Sequence, residues 1–167
     1  MPFNKCMYLA SMSLLLAILF LGSAIAEPNL TGIWIRDKTR GDPSTALAGP
    51  EEKLPDSVEV ILNIYHAGKL LQIEIQQGNK RENIAYVLDG KKHGKIRTGL
   101  GGTIYWSNWQ GDTLTIHKSA IFHGNYGDMR LQSEQFWFLS DGEKVLNIIT
   151  YIDDQTMSRT SEVYRRR

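Results

Sequence analysis

The residues of this sequence that could carry metal chemistry are spread out. The four histidines are His66, His93, His117 and His123, and none forms an H-x-H or H-x-x-x-H pair. If His117 and His123 share one strand, they lie roughly 20 Å apart at about 3.3 Å per residue, which is too far to share one ion. To bind a metal ion, histidines from strands that are distant in the sequence would have to converge. We therefore predict no metal site and no cofactor.

Nucleophilic and acid–base catalysis also lack their usual signals. No G-x-S-x-G elbow is present, and the only cysteine, Cys6, lies near the chain start. The carboxylates are scattered, and a pair such as Glu74 and Glu134 would have to meet inside the fold to act as acid and base. Outward placement of both side chains is the favoured reading. We predict no catalytic residue and keep an enzyme with an internal acid–base pair only as an alternative.

Aromatic side chains are the most plentiful candidates for contact with a ligand. Alternation along a strand puts Phe136 and Phe138 on one face and Trp137 on the other. Because both faces carry aromatic residues, one set can line a cavity while the other packs against a loop or a partner. For most of these residues, however, the default interpretation is that they fill the core. The residues that we predict to line a ligand cavity are Tyr86, Trp106, Phe136 and Phe138.

A series of short alternating runs must position these side chains. Examples are "SVEVILNIY" at 57–65, "LLQIEIQQ" at 70–77 and "VLNIITYI" at 145–152, each bounded by turn residues. Nine such runs, with a weak tenth at 94–99, predict an all-β protein whose sequence neighbours pair antiparallel. Closure into an up-and-down barrel of about 8–10 strands removes the exposed edges. A two-sheet sandwich is the alternative, but hairpin connections throughout favour the barrel.

One connection is much longer than the others. Residues 38–57 separate the first two runs and contain the prolines Pro43, Pro50 and Pro55. Loops of this length usually carry function or are disordered. We predict that 38–57 folds over one mouth of the barrel, and a mobile surface loop is the alternative.

The chain begins with the features of a secretory signal peptide. Lys5 supplies a positive charge, residues 9–22 are apolar, and Ala24 and Ala26 form the A-x-A pattern of a cleavage site. Cleavage after Ala26 leaves 27–167 as one barrel domain. The apolar run is shorter than the roughly 20 residues of a bilayer span, so we predict no stable membrane span after cleavage, against the alternative of a retained anchor. A cysteine-free mature chain favours a bacterial periplasmic or extracellular protein.

The charge balance argues against nucleic acid as a partner. Lys5 is one of 19 basic residues that face 18 acidic ones, so the chain after the leader is close to neutral. A nucleic-acid-binding domain usually shows a basic excess. The basic run Arg165–Arg167 is short, and we interpret it as a solvated tail.

The order of several motifs resembles a known family. The first strand carries Gly32-Ile33-Trp34, a G-x-W pattern, and "YVLDGK", "WQGDTLTI" and "FWFLSDGEKVLNI" follow as hairpins. This order is similar to that of bacterial exported lipocalin-like proteins, and the resemblance covers nearly the whole chain after the leader. It implies a β-barrel with an inner cavity. The chain departs from true lipocalins because it has no disulfide and no helix pattern after the last run.

The resemblance also implies how the barrel closes at one end. In that family the first-strand tryptophan packs at the closed end beneath a late basic side chain. Trp34 would be that tryptophan, Arg159 is the candidate for the basic partner, and Arg165 is the runner-up. Gly32 would permit the close approach of the neighbouring chain that a side chain would block.

These features favour an exported lipocalin-like protein that binds a small, largely apolar molecule inside the barrel. The main alternative is a non-enzymatic interaction module of the cell envelope with a solid core, which would use its outer aromatic face or the long loop for protein contact. A small hydrophobic molecule is therefore the predicted partner.

Overall fold

The fold consists of ten β-strands. The computed structural model describes residues 27–42, 58–97, 101–124, 127–153 and 158–167, with only the backbone described at 95–97, 101, 122–124 and 128. The strands are β1 (Gly32–Gly41), β2 (Val60–Ala67), β3 (Leu70–Gln77), β4 (Lys80–Val87), β5 (His93–Arg97), β6 (Gly101–Gln110), β7 (Thr113–Gly124), β8 (Gly127–Ser140), β9 (Val145–Asp153) and β10 (Ser158–Arg166). None of these ranges contains a helix that is long and apolar enough to span a bilayer. The leader 1–26 and the segment 43–57 lie outside the described residues, so the predictions made for them stay predictions.

The strands form a single antiparallel sheet that curls into a nearly closed barrel. The order of the sheet is β4-β3-β2-β1-β10-β9-β8-β7-β6-β5, so strands that follow one another in the chain pair, except β4 with β5, and β1 pairs with β10. Short turns allow only antiparallel pairing, and the β1–β10 pairing joins the two halves of the meander. The all-β, up-and-down barrel predicted from the alternating runs is thereby confirmed.

The seam of the barrel lies between β4 and β5, the two ends of the sheet. The sequence "DGKK" predicts a hairpin here, but β4 pairs only with β3 and β5 only with β6 among the described residues. The Asp89 carboxylate shares a 2.9 Å hydrogen bond with Nε2 of His93, which folds the turn onto itself. Ser107 of β6 then bridges the seam: its hydroxyl donates to the Val87 carbonyl at 3.0 Å, and its own carbonyl accepts from Gly90 N at 2.9 Å.

Strand β1 extends into the segment that the sequence predicts to be a long loop. Strand β1 continues to Gly41, so 38–41 belong to the barrel wall and not to the long loop. The strand is held there because Asp42 N donates to Ser161 O at 2.6 Å and Ser161 N donates to the Asp42 carboxylate at 2.8 Å. Strand β7 runs to Gly124, and β8 begins at Gly127.

The core lies on the inner face of the barrel. Strict alternation on β2 and β3 puts Leu62, Ile64, Leu71 and Ile73 inward, where each is at most 2% exposed. Burial of an aliphatic side chain of this size contributes about 1.5–3 kcal/mol. The same inner face carries the other core residues, Leu30, Trp34, Val60, Ile75, Tyr86, Leu88, Leu114, Ile116, Trp137, Leu146, Ile148 and Tyr164.

Trp34 is completely buried in this core, and the basic side chain above its ring is Arg166. The Arg166 guanidinium lies 4.6 Å from the centre of the Trp34 ring, and the Trp34 indole N–H donates to Leu30 O at 2.9 Å. A Cβ on Gly32, whose φ is 154°, would lie 3.4 Å from Nε of Arg166. That distance is an ordinary contact, and it is the positive φ that favours glycine at this position.

The expected partners of Trp34 are corrected by the strand register. Trp34 pairs directly with Arg166, so the two side chains share a face, whereas Arg165 points outward and binds Asp37 at 2.7 Å. Arg159 lies further along β10 on the outer face, 6.0 Å above the Tyr151 ring.

We expect Arg166→Ala to lower the free energy of unfolding by about 1–2 kcal/mol, because it removes a cation over a buried indole. Arg159→Ala, which removes a cation over the exposed Tyr151, is the matched control and should cost less than about 0.5 kcal/mol. Urea denaturation of both variants measures the difference. Equal losses would contradict the role given to Arg166.

Candidate functional site

A polar strip crosses the apolar inner wall on β8, β9 and β10. Gln135 pairs with Thr150, and Thr150 pairs with Thr160, so the three side chains lie in one row facing the lumen. The Gln135 carbonyl oxygen accepts the Trp137 indole N–H at 3.3 Å. The hydroxyls of Thr150 and Thr160 are buried and have no hydrogen-bond partner in the described part of the chain. Buried polar groups are nearly always paired, so these hydroxyls need an explanation.

Glu162 is the most unusual residue of the lumen. Its side chain is 1% exposed, and the nearest charge is Nε of Arg36, 3.8 Å from one carboxyl oxygen. Burial raises the pKa of the Glu162 carboxyl to about 7, although the Arg36 guanidinium acts to lower it. Neither carboxyl oxygen has a hydrogen-bond partner within the described ranges. An acid with a pKa near neutrality in an enclosed lumen is typical of a functional group.

Tyr164 shares this environment two residues further along β10. Its ring is completely buried, and burial together with the neighbouring Glu162 raises the pKa of its hydroxyl well above the ordinary value. The nearby Tyr164 hydroxyl acts to lower the pKa of the Glu162 carboxyl, but the geometry of the two groups is not that of a hydrogen bond. Arg36, Glu162 and Tyr164 thus form one polar cluster, which we call the Glu162 cluster.

A second polar group enters the lumen from β7. Lys118 follows the core residue Ile116 at the inward spacing, and its Nζ lies 5.4 Å from the centre of the Tyr86 ring. Burial lowers the pKa of Lys118 to about 8, while the carboxylate of Glu82 acts in the opposite direction. The rings of Tyr105 and Tyr86 pack edge to face with their centres 5.1 Å apart, and this contact joins β6 to β4 across the seam.

The four residues predicted to line a cavity do not share one face. Tyr86 is 2% exposed and lies in the core, on the lumen side. Trp106 faces outward, because it neighbours the core-packed Tyr105 and stacks on His117 at 4.7 Å. Phe136 and Phe138 flank the buried Trp137 and therefore also point outward. The lumen placement expected for Trp106, Phe136 and Phe138 is thus corrected, and Tyr86 alone remains a lumen candidate.

Trp106 belongs to a row of outward-facing residues that crosses five strands. Trp106, His117, Glu134, Tyr151 and Arg159 are successive cross-strand partners. They contact one another through the Trp106–His117 stack, a 3.4 Å pair between His117 and Glu134, and the arginine above Tyr151. Four members of the row, Trp106, His117, Glu134 and Tyr151, line a cleft of about 400 Å³, which is also lined by Lys118 and Ser133.

The acid–base pair considered from the sequence does not form in the lumen. Glu134 lies in the outer row, and Glu74 points outward from β3, where it pairs with Arg81 at 3.4 Å. In the described ranges no three histidine, aspartate or glutamate side chains converge as metal ligands. Among the described residues, the charged side chains that face the lumen include Arg36, Lys118 and Glu162.

Comparison with known proteins identifies the architecture. No family model matches the sequence, and no curated protein matches it. Human cRBP IV is 13% identical, with a TM-score of 0.59 over 84% of this chain and 99% of that chain. The Echinococcus granulosus fatty-acid-binding protein 1 is 10% identical, with a TM-score of 0.57 over 82% of this chain and 96% of that chain. The REP1-NXSQ fatty acid transporter is 14% identical, with a TM-score of 0.57 over 83% of this chain and 96% of that chain.

The fold is that of a lipocalin-like barrel. At these identities the likeness concerns the architecture alone. Within this lipocalin-like barrel, sequence reasoning did not single out Arg36, Lys118 or Tyr164, and it grouped Glu162 with scattered surface carboxylates. A signal was present for Lys118, which continues the alternation of Leu114 and Ile116.

Proposed function

We propose that this protein binds a small, largely apolar molecule with one polar end in the lumen of the barrel. The observation that carries the proposal is a set of buried polar atoms on the inner wall that have no hydrogen-bond partner in the described part of the chain, on Thr150, Thr160, Glu162 and Tyr164. Leaving such a group unpaired costs about 1–3 kcal/mol, and a polar group of a bound molecule would pair it. The apolar remainder of the ligand would lie against the aliphatic wall.

The names of the structural neighbours support the same class of ligand. Two of them are a fatty-acid-binding protein and a fatty acid transporter, and this chain shares their barrel. Small barrels of this kind have room for packed side chains or one small ligand. Fatty-acid-like molecules are therefore the first probes to use.

We also propose that the protein is exported and acts in the periplasm or outside the cell. The motivation is the leader sequence, with its apolar run and the Ala24-x-Ala26 site. The mature protein would then begin at Glu27, which the mass of the protein purified from its own host reports. A full-length mass would contradict cleavage.

We expect Thr150→Val to weaken the binding of a fluorescent fatty-acid analogue by roughly 2- to 10-fold, because it removes a lumen hydroxyl that the ligand can use. Thr115→Val is the matched control. Thr115 is equally buried and also unpartnered, but it lies between Leu114 and Ile116 and so faces outward. Fluorescence titration should show no change for this control, and equal effects of the two variants would count against a lumen site.

A further inference from the structure

We propose that Lys118 is a covalent anchor for an apolar aldehyde, which it holds inside the barrel as an imine. The inference rests on the proposed function, because the aldehyde must first enter the lumen as an apolar ligand. It adds a chemical class for the polar end of that ligand and a bond to a named atom, Nζ of Lys118.

The position of Lys118 presents its amine to the lumen. The residue pairs with Tyr105 on one side and Ser133 on the other, and all three share the inner face with the core residue Ile116. The Lys118 side chain is half-buried, and its Nζ makes no hydrogen bond or ion pair in the described ranges. Its Nζ lies 5.4 Å from the centre of the Tyr86 ring. A lysine amine that is partly withdrawn from water and forms no ion pair with a carboxylate in the described ranges can act as a nucleophile.

The surroundings of Lys118 favour the neutral amine that this reaction needs. Burial lowers the pKa of Lys118 from 10.5 to about 8, so at neutral pH the neutral fraction exceeds that of an ordinary lysine on the order of a hundredfold. The titratable groups that act on it are few. Glu82 of β4 acts to raise this pKa, and burial raises the pKa of the neighbouring Tyr86 hydroxyl, so that phenol carries no charge near neutral pH.

The bond changes are simple and need no oxidant or reductant. The Nζ lone pair attacks the carbonyl carbon, a C–N bond forms, and the carbonyl oxygen takes up a proton. The carbinolamine then loses water, with one proton from the nitrogen, to give the C=N bond. A protonated imine would lie above the Tyr86 ring and near the charge of Glu82, both of which stabilise a cation.

An aldehyde fits this position better than a carboxylate does. Carboxylates are usually bound by the paired N–H donors of a guanidinium. The arginine of the Glu162 cluster, Arg36, already faces the Glu162 carboxyl, and Glu82 near Lys118 would repel a second negative charge. A neutral carbonyl avoids that repulsion, and the aliphatic wall accommodates its tail.

In the test, octanal is added to the mature barrel domain, residues 27–167, as it is produced by the cell. Sodium cyanoborohydride reduces any imine to a stable amine, and intact mass with peptide mapping locates the octyl group. We expect one octyl group per chain on Lys118, formed roughly tenfold faster than on the exposed Lys69. Lys118→Arg and Lys118→Met should both lose this label, and Lys69→Arg should keep it.

A parallel titration separates this inference from the proposed function. Octanol, which cannot form an imine, should displace the fluorescent fatty-acid analogue from the wild-type protein and from Lys118→Met. If octanol displaces the analogue but octanal labels Lys118 no faster than Lys69, the imine is ruled out and the binding function stands. If octanol displaces nothing and Lys118 is not labelled, both proposals fail.

Discussion

Trp34→Ala is expected to destabilise the barrel by about 3–5 kcal/mol, which corresponds to a fall in Tm of roughly 10 °C. The substitution removes a completely buried indole from the core together with its hydrogen bond to Leu30 O. It also leaves Arg166 without the ring beneath it. Thermal unfolding followed by circular dichroism measures the change.

Trp106→Ala is the control for the loss of a tryptophan as such. Trp106 lies on the outer face, half-buried between the His117 ring and the ammonium of Lys92. Losing an aromatic contact of this kind should cost about 1 kcal/mol. An unchanged Tm in Trp34→Ala, or equal losses in the two variants, would show that Trp34 does not close the core.

The second large effect concerns the pH dependence of stability. The folded-state pKa of Glu162 is raised from 4.5 to about 7, so the native carboxyl keeps its proton at pH values where the unfolded chain has lost it. Stability from this group is therefore complete below about pH 4.5 and is lost as the pH rises through 7. The shift corresponds to a loss of about 3 kcal/mol. Above pH 7 the buried carboxylate is ionised and only partly compensated by Arg36.

We expect Glu162→Gln to remove this loss, because the amide does not ionise. Urea denaturation between pH 4.5 and 8 should show the wild type losing about 3 kcal/mol relative to this variant across that range. Glu59→Gln changes one exposed carboxyl and controls for net charge. Parallel curves for the wild type and Glu162→Gln would mean that the Glu162 carboxyl is already ionised in the native barrel near pH 5.

Much of the barrel could be predicted from the sequence because its strands alternate clearly. In β2 and β3 the apolar residues recur at every second position, as at Leu62 and Ile64, so both the strands and their inner faces are legible. The position of Trp34 followed from the G-x-W pattern. The pairing of Trp34 with Arg166 could not be predicted in the same way, because it depends on the register between β1 and β10, which no local pattern specifies.

The inner face was ambiguous where both faces of a strand are apolar. In β6 and β8 the runs "TIYWSNW" and "QFWFL" alternate between two aromatic sets, and local sequence does not tell which set points inward. Cross-strand pairing resolves this: Trp106 pairs with His117, and Phe136 pairs with Thr115, which faces away from the core.

The polar lumen residues were hidden for a different reason. Glu162 lies in the hydrophilic segment "SRTSEVY", whose composition is that of an exposed strand, and only the closure of β10 onto β1 encloses it. Arg36 and Tyr164 become its neighbours through the same closure. Charged side chains are rarely buried. Residue type alone therefore predicts that Arg36 and Glu162 lie on the protein surface.

Native mass spectrometry of the protein purified from the periplasm of its own host tests the central claim most directly. We predict a species of mass beginning at Glu27 that carries one small, largely apolar molecule per chain, released on denaturation and absent from unrelated periplasmic proteins prepared in parallel. A protein that is recovered only in the unliganded form, and that fails to bind the fluorescent fatty-acid analogue in solution, would contradict a ligand-binding lumen.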